Sequence, residues 1–275
     1  MISFNHAGGE SMASYRLRAR LPASLLGAVN DPAQPIQVFA KPIPPDVEIA
    51  KKFREQDKFV ITDICDPHLD QRHYRELVDL SHAVTCNTEW MKTFLMDELG
   101  REIHVIPDVY EADEFVPHCS GDRILWFGNA INLGSLKRVE HHLKGHPVTV
   151  LSNATGFQWS PELQHEALLK ADIVVMPETA PYKSANRTIE AIRYGCCVIA
   201  EPHPSLDGFP IYKGNIKRGI EWAIRNPEQA NDMTLAGQDY VRKLYSPRIL
   251  ENAWKTIMTG YGFTWDQAES TGTDG

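Results

Sequence analysis

Short apolar runs rich in β-branched residues alternate along the chain with longer stretches whose apolar positions recur at helical spacing. The runs at 2–4, 36–40, 58–64, 83–86 and 103–106 read as strands, and those at 124–127, 148–151, 173–176 and 198–200 as a second set. Between them, residues 11–26, 44–54, 71–80, 88–99 and 163–170, and a stretch beginning near Leu133, read as helices, with Leu168 and Leu169 inward. Segments 216–224, 227–244 and 247–261 continue the helical pattern to the end. Short apolar strands alternating with helices belong to parallel sheets covered by helices, so the predicted class is α/β in two successive halves. The first half is assigned to 1–112 and the second to 122–246. Residues 113–121, polar and carrying Pro117 and Gly121, form the linker. Residues 247–265 are a terminal helical segment, and the Gly/Ser/Thr/Asp-rich stretch 266–275 is expected to be disordered.

The densest chemistry lies within 171–200. A strand closed by Pro177 leads through a polar loop into a helix carrying Ile189, Ala191 and Ile192, which Gly195 ends before the next strand. Ser184 and Asn186 are the expected N-cap residues. Ligands of parallel sheets bind beyond the carboxyl ends of strands, and helix N-termini attract phosphate. Lys183, Ser184, Asn186 and Arg187 occupy that position, two cations with free backbone N–H groups, a set suited to a diphosphate. Glu190, three residues beyond Arg187, is placed to accept hydrogen bonds from ribose hydroxyls. A solvated Lys-Arg-Glu cluster at a helix start is the alternative.

The strand-end rule also selects Gly8 and Gly9, Arg16 on the helix after them, Asp63, Asp66 and His68 after the third strand, and Gly128 and Asn129 after the first strand of the second half. Arg18 and Arg20 are expected on a solvated basic face. Asp63, Asp66 and His68 lack the spacing of a standard metal-ligand set; a helix cap with a surface His, or a sugar contact, are the other readings. No Gly-x-Gly-x-x-Gly follows the first strand, which weighs against a dinucleotide-dependent dehydrogenase.

The run Asn186-Arg187-x-x-Glu190-Ala191-x-x-x-Gly195, followed by Val198-Ile199-Ala200, resembles the nucleotide-sugar signature of GT-B glycosyltransferases, by pattern the retaining family that includes sucrose synthase and glycogen synthase. The resemblance implies two Rossmann-like domains facing across a cleft, unusually small here. The first would be the acceptor side, the second would bind the nucleotide sugar, and the last helix would cross back to the first domain. It implies transfer of a hexosyl or pentosyl group from a nucleotide-diphosphate sugar with retention, without a metal or other cofactor. Lys183 and Arg187 would neutralise the diphosphate and Glu190 would bind ribose, with Gly128, Asn129, Ser184 and Asn186 around the donor. His68 would assist at the acceptor side with Gly8, Gly9, Arg16, Asp63 and Asp66. The family carries a second glutamate eight residues before the first; this chain has Tyr182 there, and Glu178 nearby. The acceptor is expected to be a saccharide, a small metabolite or a modified DNA base. A noncatalytic nucleotide-sugar-binding protein of the same fold is the second reading.

Over 275 residues the net charge is −8, which argues against general binding to nucleic acid. No apolar run approaches the roughly 20 residues that span a bilayer, and no basic region precedes an apolar core at the start, so a cytoplasmic protein is expected. Cys65, Cys86, Cys119, Cys196 and Cys197, none in CxxC spacing, read as reduced and mostly buried thiols.

Overall fold

The structure, a computed structural model, describes residues 1–28, 30–118, 120–155 and 159–265; Cys119 and the stretch 266–275 lie outside them. A first parallel sheet holds β1 (Ile2–Asn5), β2 (Ile36–Ala40), β3 (Phe59–Ile64), β4 (Ala83–Cys86) and β5 (His104–Val105), side by side in chain order. Between β1 and β2, α1 (Ala13–Tyr15), a π-helical turn (Arg16–Arg20) and α2 (Leu21–Leu25) run on as one segment. Helices α3 (Pro44–Glu55), α4 (Arg72–Leu80) and α5 (Glu89–Leu99) make the next three connections.

Register fixes the faces. Ile2, Ile36, Val38, Ile61 and Ala83 share one face, where they pack with Ala19, Leu21 and Leu25. Phe39, Val60, Val84 and Cys86 point the other way, onto Phe53 of α3, Leu77 of α4 and Met91 of α5. All four connections step in the same direction along the sheet, yet the first uses the opposite face. The β1–β2 connection therefore has the opposite hand to the three after it, and right-handed crossovers are the rule. Much of the face it shares is covered from elsewhere, by α11 (Pro247–Gly260), whose Leu250, Trp254, Ile257 and Met258 pack there. Trp254 stands edge-on to Phe4 at 5.2 Å between centroids.

The second half contains β6 (Ile124–Phe127), α6 (Leu133–Val139), β7 (Val148–Leu151), α7 (Pro161–Lys170), β8 (Ile173–Met176), α8 (Asn186–Arg193), β9 (Cys197–Ala200), β10 (Tyr212–Lys213), α9 (Ile216–Arg225) and α10 (Pro227–Leu244). Its parallel sheet has the order β10-β9-β8-β6-β7. Leu125, Val174 and Val198 face α7, α8 and α10, while Trp126, Val175 and Ile199 face α6 and α9. The chain winds from β6 out to β7, then returns past β6 to β8. This makes the gap between the ends of β6 and β8 a topological switch point.

Several local expectations change. Helix α8 has Ala185 at its N-cap and no side-chain cap, because the loop turns at Ala180–Lys183 and neither Ser184 nor Asn186 is placed to cap N2 or N3. Leu169 is exposed, on the outer side of α7, while Leu168 is buried. The linker is no free tether: the Val116 amide donates to Arg193 O, and Phe115 and Val116 pack on the second core. Gly195, at φ +72°, lets this happen, since a Cβ there would lie 2.5 Å from Pro117 O. Cys86, Cys196 and Cys197 are buried, and burial pushes the Cys86 and Cys197 thiols up to about 12. Among the described residues no helix is long and apolar enough to cross a membrane.

Candidate functional site

At the switch point, Arg187 in the first turn of α8 sends Nη1 to Phe127 O, at the end of β6, at 3.0 Å. Gly128 follows Phe127 at this close approach: a Cβ there would lie 3.0 Å from the same nitrogen. Among the described residues no carboxylate pairs with Arg187, and desolvation holds its pKa down at about 10. Burying a cation without a counter-ion is costly, and such a group at a strand-end crevice is the electrostatic setting of an anion site. Ser184, Thr188, His203 and Ser205 line the small cavity beside it. His203 is fixed there by Ala180 O at 2.9 Å and Ser205 Oγ at 2.8 Å. Arg138 of α6 is committed to Glu201, another residue of the cavity lining, at 2.8 Å. Asn129 caps the turn that follows it, accepting from Ile131 N at 3.1 Å, and Asn186 Oδ1 accepts from Arg187 N at 2.7 Å.

Glu190 sits one turn further along α8. Its Oε2 accepts from Arg193 Nη2 at 2.7 Å, and Arg193 also donates to Glu114 O at 2.9 Å. Arg193 thus fixes the Glu190 carboxylate against the linker, a role that sequence reading missed. The i, i+3 spacing was the available signal.

Lys183 reaches across to the first half. Its Nζ donates to Asp66 Oδ1 at 2.5 Å, and Lys41 Nζ stands 3.6 Å from Asp66 Oδ2. Lys41, also unanticipated, follows β2 with φ +52°, a left-handed conformation uncommon for a non-glycine residue. The strand-end rule, applied to β2, selects it. Tyr182 faces Trp90 of α5 at 6.5 Å and packs on the first-half core. His68 lies in the turn after Asp66, its ring edge-on to Tyr74 at 5.6 Å; Asp66 is the residue that meets Lys183.

Two acceptor-side assignments do not survive. Asp63 has no exposure: Arg18 Nε and Nη2 donate to it at 2.8 and 2.5 Å, and Thr85 Oγ1 at 2.6 Å. It points from β3 into the packed face, so no acceptor can reach it. Arg18 is correspondingly buried instead of lying on a solvated face, because the π turn aims it at Asp63 and Asp108. Arg16 is also buried; it pairs with Glu111 at 2.9 Å and covers the Trp159 ring at 4.7 Å, bracing one half against the other. Arg20 is exposed, near Glu10 and Glu111. Gly8 and Gly9 form a tight turn after β1, with Gly8 N donating to His6 Nδ1 at 2.7 Å. Among the described residues no group of three or more His, Cys, Asp or Glu is arranged to hold a metal ion.

No protein-family model matches the chain, and no curated protein matches it. Solved structures do. Anabaena Alr3699/HepE in complex with UDP superposes with TM-score 0.65 at 11% identity, over 91% of this chain and 85% of that one. The same protein in complex with UDP-glucose gives 0.60 at 14%, over 90% and 84%. The fold is GT-B. A variant of S. aureus TarM in complex with Fondaparinux, alpha-GlcNAc-glycerol and UDP gives 0.57 at 14% identity, over 81% of this chain and 55% of TarM.

Proposed function

We propose that the chain is a glycosyltransferase that moves a sugar from a nucleoside-diphosphate sugar to an acceptor hydroxyl. The observation that carries this is Arg187, desolvated and, among the described residues, without a carboxylate partner at the switch point, with Lys183 in the loop four residues before it. Together they supply two positive charges where a diphosphate leaving group would develop negative charge, the main electrostatic demand of glycosyl transfer. With that charge provided by side chains, the reaction runs without a metal. Glu190, held by Arg193, presents its carboxylate to the ribose. Tyr182 stands where the related signature has an acidic residue, so that position offers a phenol in place of a carboxylate, and transfer proceeds with retention. The excess of acid over base favours a saccharide or small metabolite over DNA as acceptor. The UDP bound by Alr3699/HepE and TarM makes UDP the first nucleotide to test.

The test is incubation with UDP-glucose and related donors, with and without EDTA, following nucleotide release and the anomeric configuration of the product by NMR. Slow donor hydrolysis is expected even without acceptor, unchanged by EDTA. Glu190→Gln should weaken donor binding by roughly 1.5–3 kcal/mol, the scale of a lost charged hydrogen bond. Binding without any turnover would instead establish the noncatalytic reading.

A further inference from the structure

Resting on that donor reading, we propose that Asp66 is an acceptor-binding carboxylate kept masked by Lys183 until the donor diphosphate arrives. Asp66 stands beyond the carboxyl end of β3 in the first half; Lys183 precedes α8 in the second. The carboxylate lies between two ammonium groups, Lys183 Nζ at 2.5 Å from Oδ1 and Lys41 Nζ at 3.6 Å from Oδ2. Oδ1 is hydrogen-bonded to Lys183 and Oδ2 faces Lys41, so in the unliganded protein a hydroxyl must compete with Lys183 for Oδ1. Yet the side chains of Lys183 and Asp66 keep 32% and 16% of their exposure, and a pair open to water is weak. A diphosphate carries more charge than one carboxylate, and at the switch point it also meets Arg187. Lys183 therefore leaves Asp66 for the diphosphate.

Lys41 stays on the first-half side of the cleft, within reach of Asp66. Its backbone N–H is tied to Asp63 O at 3.1 Å, and Asp63 is locked by Arg18. It keeps Asp66 oriented after Lys183 departs. The released Oδ1 then faces the cleft from the acceptor side, able to accept a hydrogen bond from the attacking hydroxyl. Donor binding thus creates the acceptor contact, and the same lysine serves first as a mask and then as a diphosphate ligand.

The two halves of this proposal pull in opposite directions on Asp66→Asn. Calorimetry with UDP, ADP and GDP first identifies the nucleotide that binds the unmutated protein; binding of none overturns the donor reading itself. Removing the competing carboxylate should tighten that nucleotide about two- to five-fold, the scale of a partly exposed pair. In a Lys183→Ala background the same change should leave affinity unaltered, because the coupling is gone. Water is the simplest acceptor, so hydrolysis of the matching nucleotide sugar should fall by about ten-fold or more in Asp66→Asn despite its tighter binding. Equal or weaker nucleotide affinity in Asp66→Asn overturns the mask while leaving the donor reading standing. Undiminished hydrolysis overturns the acceptor role.

Discussion

Arg187→Met separates a functional cation from a structural one. Desolvation lowers the Arg187 pKa from 12.5 to about 10. At about 1.4 kcal/mol per unit this is an upper bound of some 3 kcal/mol on the cost of the buried charge. The guanidinium is wrapped by protein while the residue as a whole is only half-buried, so solvent screening reduces that to about 1–2 kcal/mol. Methionine removes the cost, keeps an unbranched apolar stem, and loses the hydrogen bond to Phe127 O, about 1 kcal/mol. The two nearly cancel, so the unliganded variant should unfold in urea within about 1 kcal/mol of the parent. Nucleotide binding should behave differently. A charge-assisted contact to phosphate contributes about 1.5–3 kcal/mol, so affinity should drop roughly 10- to 150-fold. The assay is urea unfolding with and without a fixed nucleotide concentration. Mass action raises the parent's midpoint in the presence of ligand, while the variant's should barely move. A loss of several kcal/mol without ligand, or undiminished nucleotide affinity, would refute the argument that Arg187 is held at a cost for the sake of an anion.

Asp63→Asn should destabilise by about 3–5 kcal/mol, since among the described residues it leaves the buried Arg18 with Asp108 as its one ion-pair partner; a change below about 1 kcal/mol on denaturation would show that this network carries little. His6 accepts from Gly8 N, and burial with the nearby Lys41 charge lowers its pKa below 6.5. Its neutral form is favoured in the fold, so that contribution is full above the unfolded value and is lost as pH falls through the lowered folded one. His6→Gln should flatten part of the loss of stability between about pH 7 and 5, read as melting temperature across that range. An unchanged acid limb would remove His6 from the account.

Periodicity was enough to locate most of the elements. Residues 227–244 read as one helix and form one, and Thr88 caps α5 through Met91 N. The switch-point cation was legible too, because Arg187 follows from the strand-end rule and helix direction alone. What stayed hidden depends on which face a strand residue takes. Asp63 looks like a strand-end residue, but its register with Ala40 and Thr85 turns it into the face packed by Arg18. The Lys183–Asp66 pair joins two halves whose relative placement no local pattern encodes. Tyr212–Lys213 is too short a strand to leave a periodic signal, and pairs only because β9 offers it an edge.

The cover that α11 lays over the first sheet has a consequence for how the protein is made. Phe4 is made about 250 residues before Trp254, the ring it packs against. At about 5–20 residues per second, the nascent first half must wait about 7 seconds or more with part of an apolar sheet face open. The second half, whose main core is built from residues between Tyr110 and Tyr245, can close before the first is finished. Synthesis order and folding order are therefore reversed for the two halves, and the interval between them is when a chaperone would find its substrate.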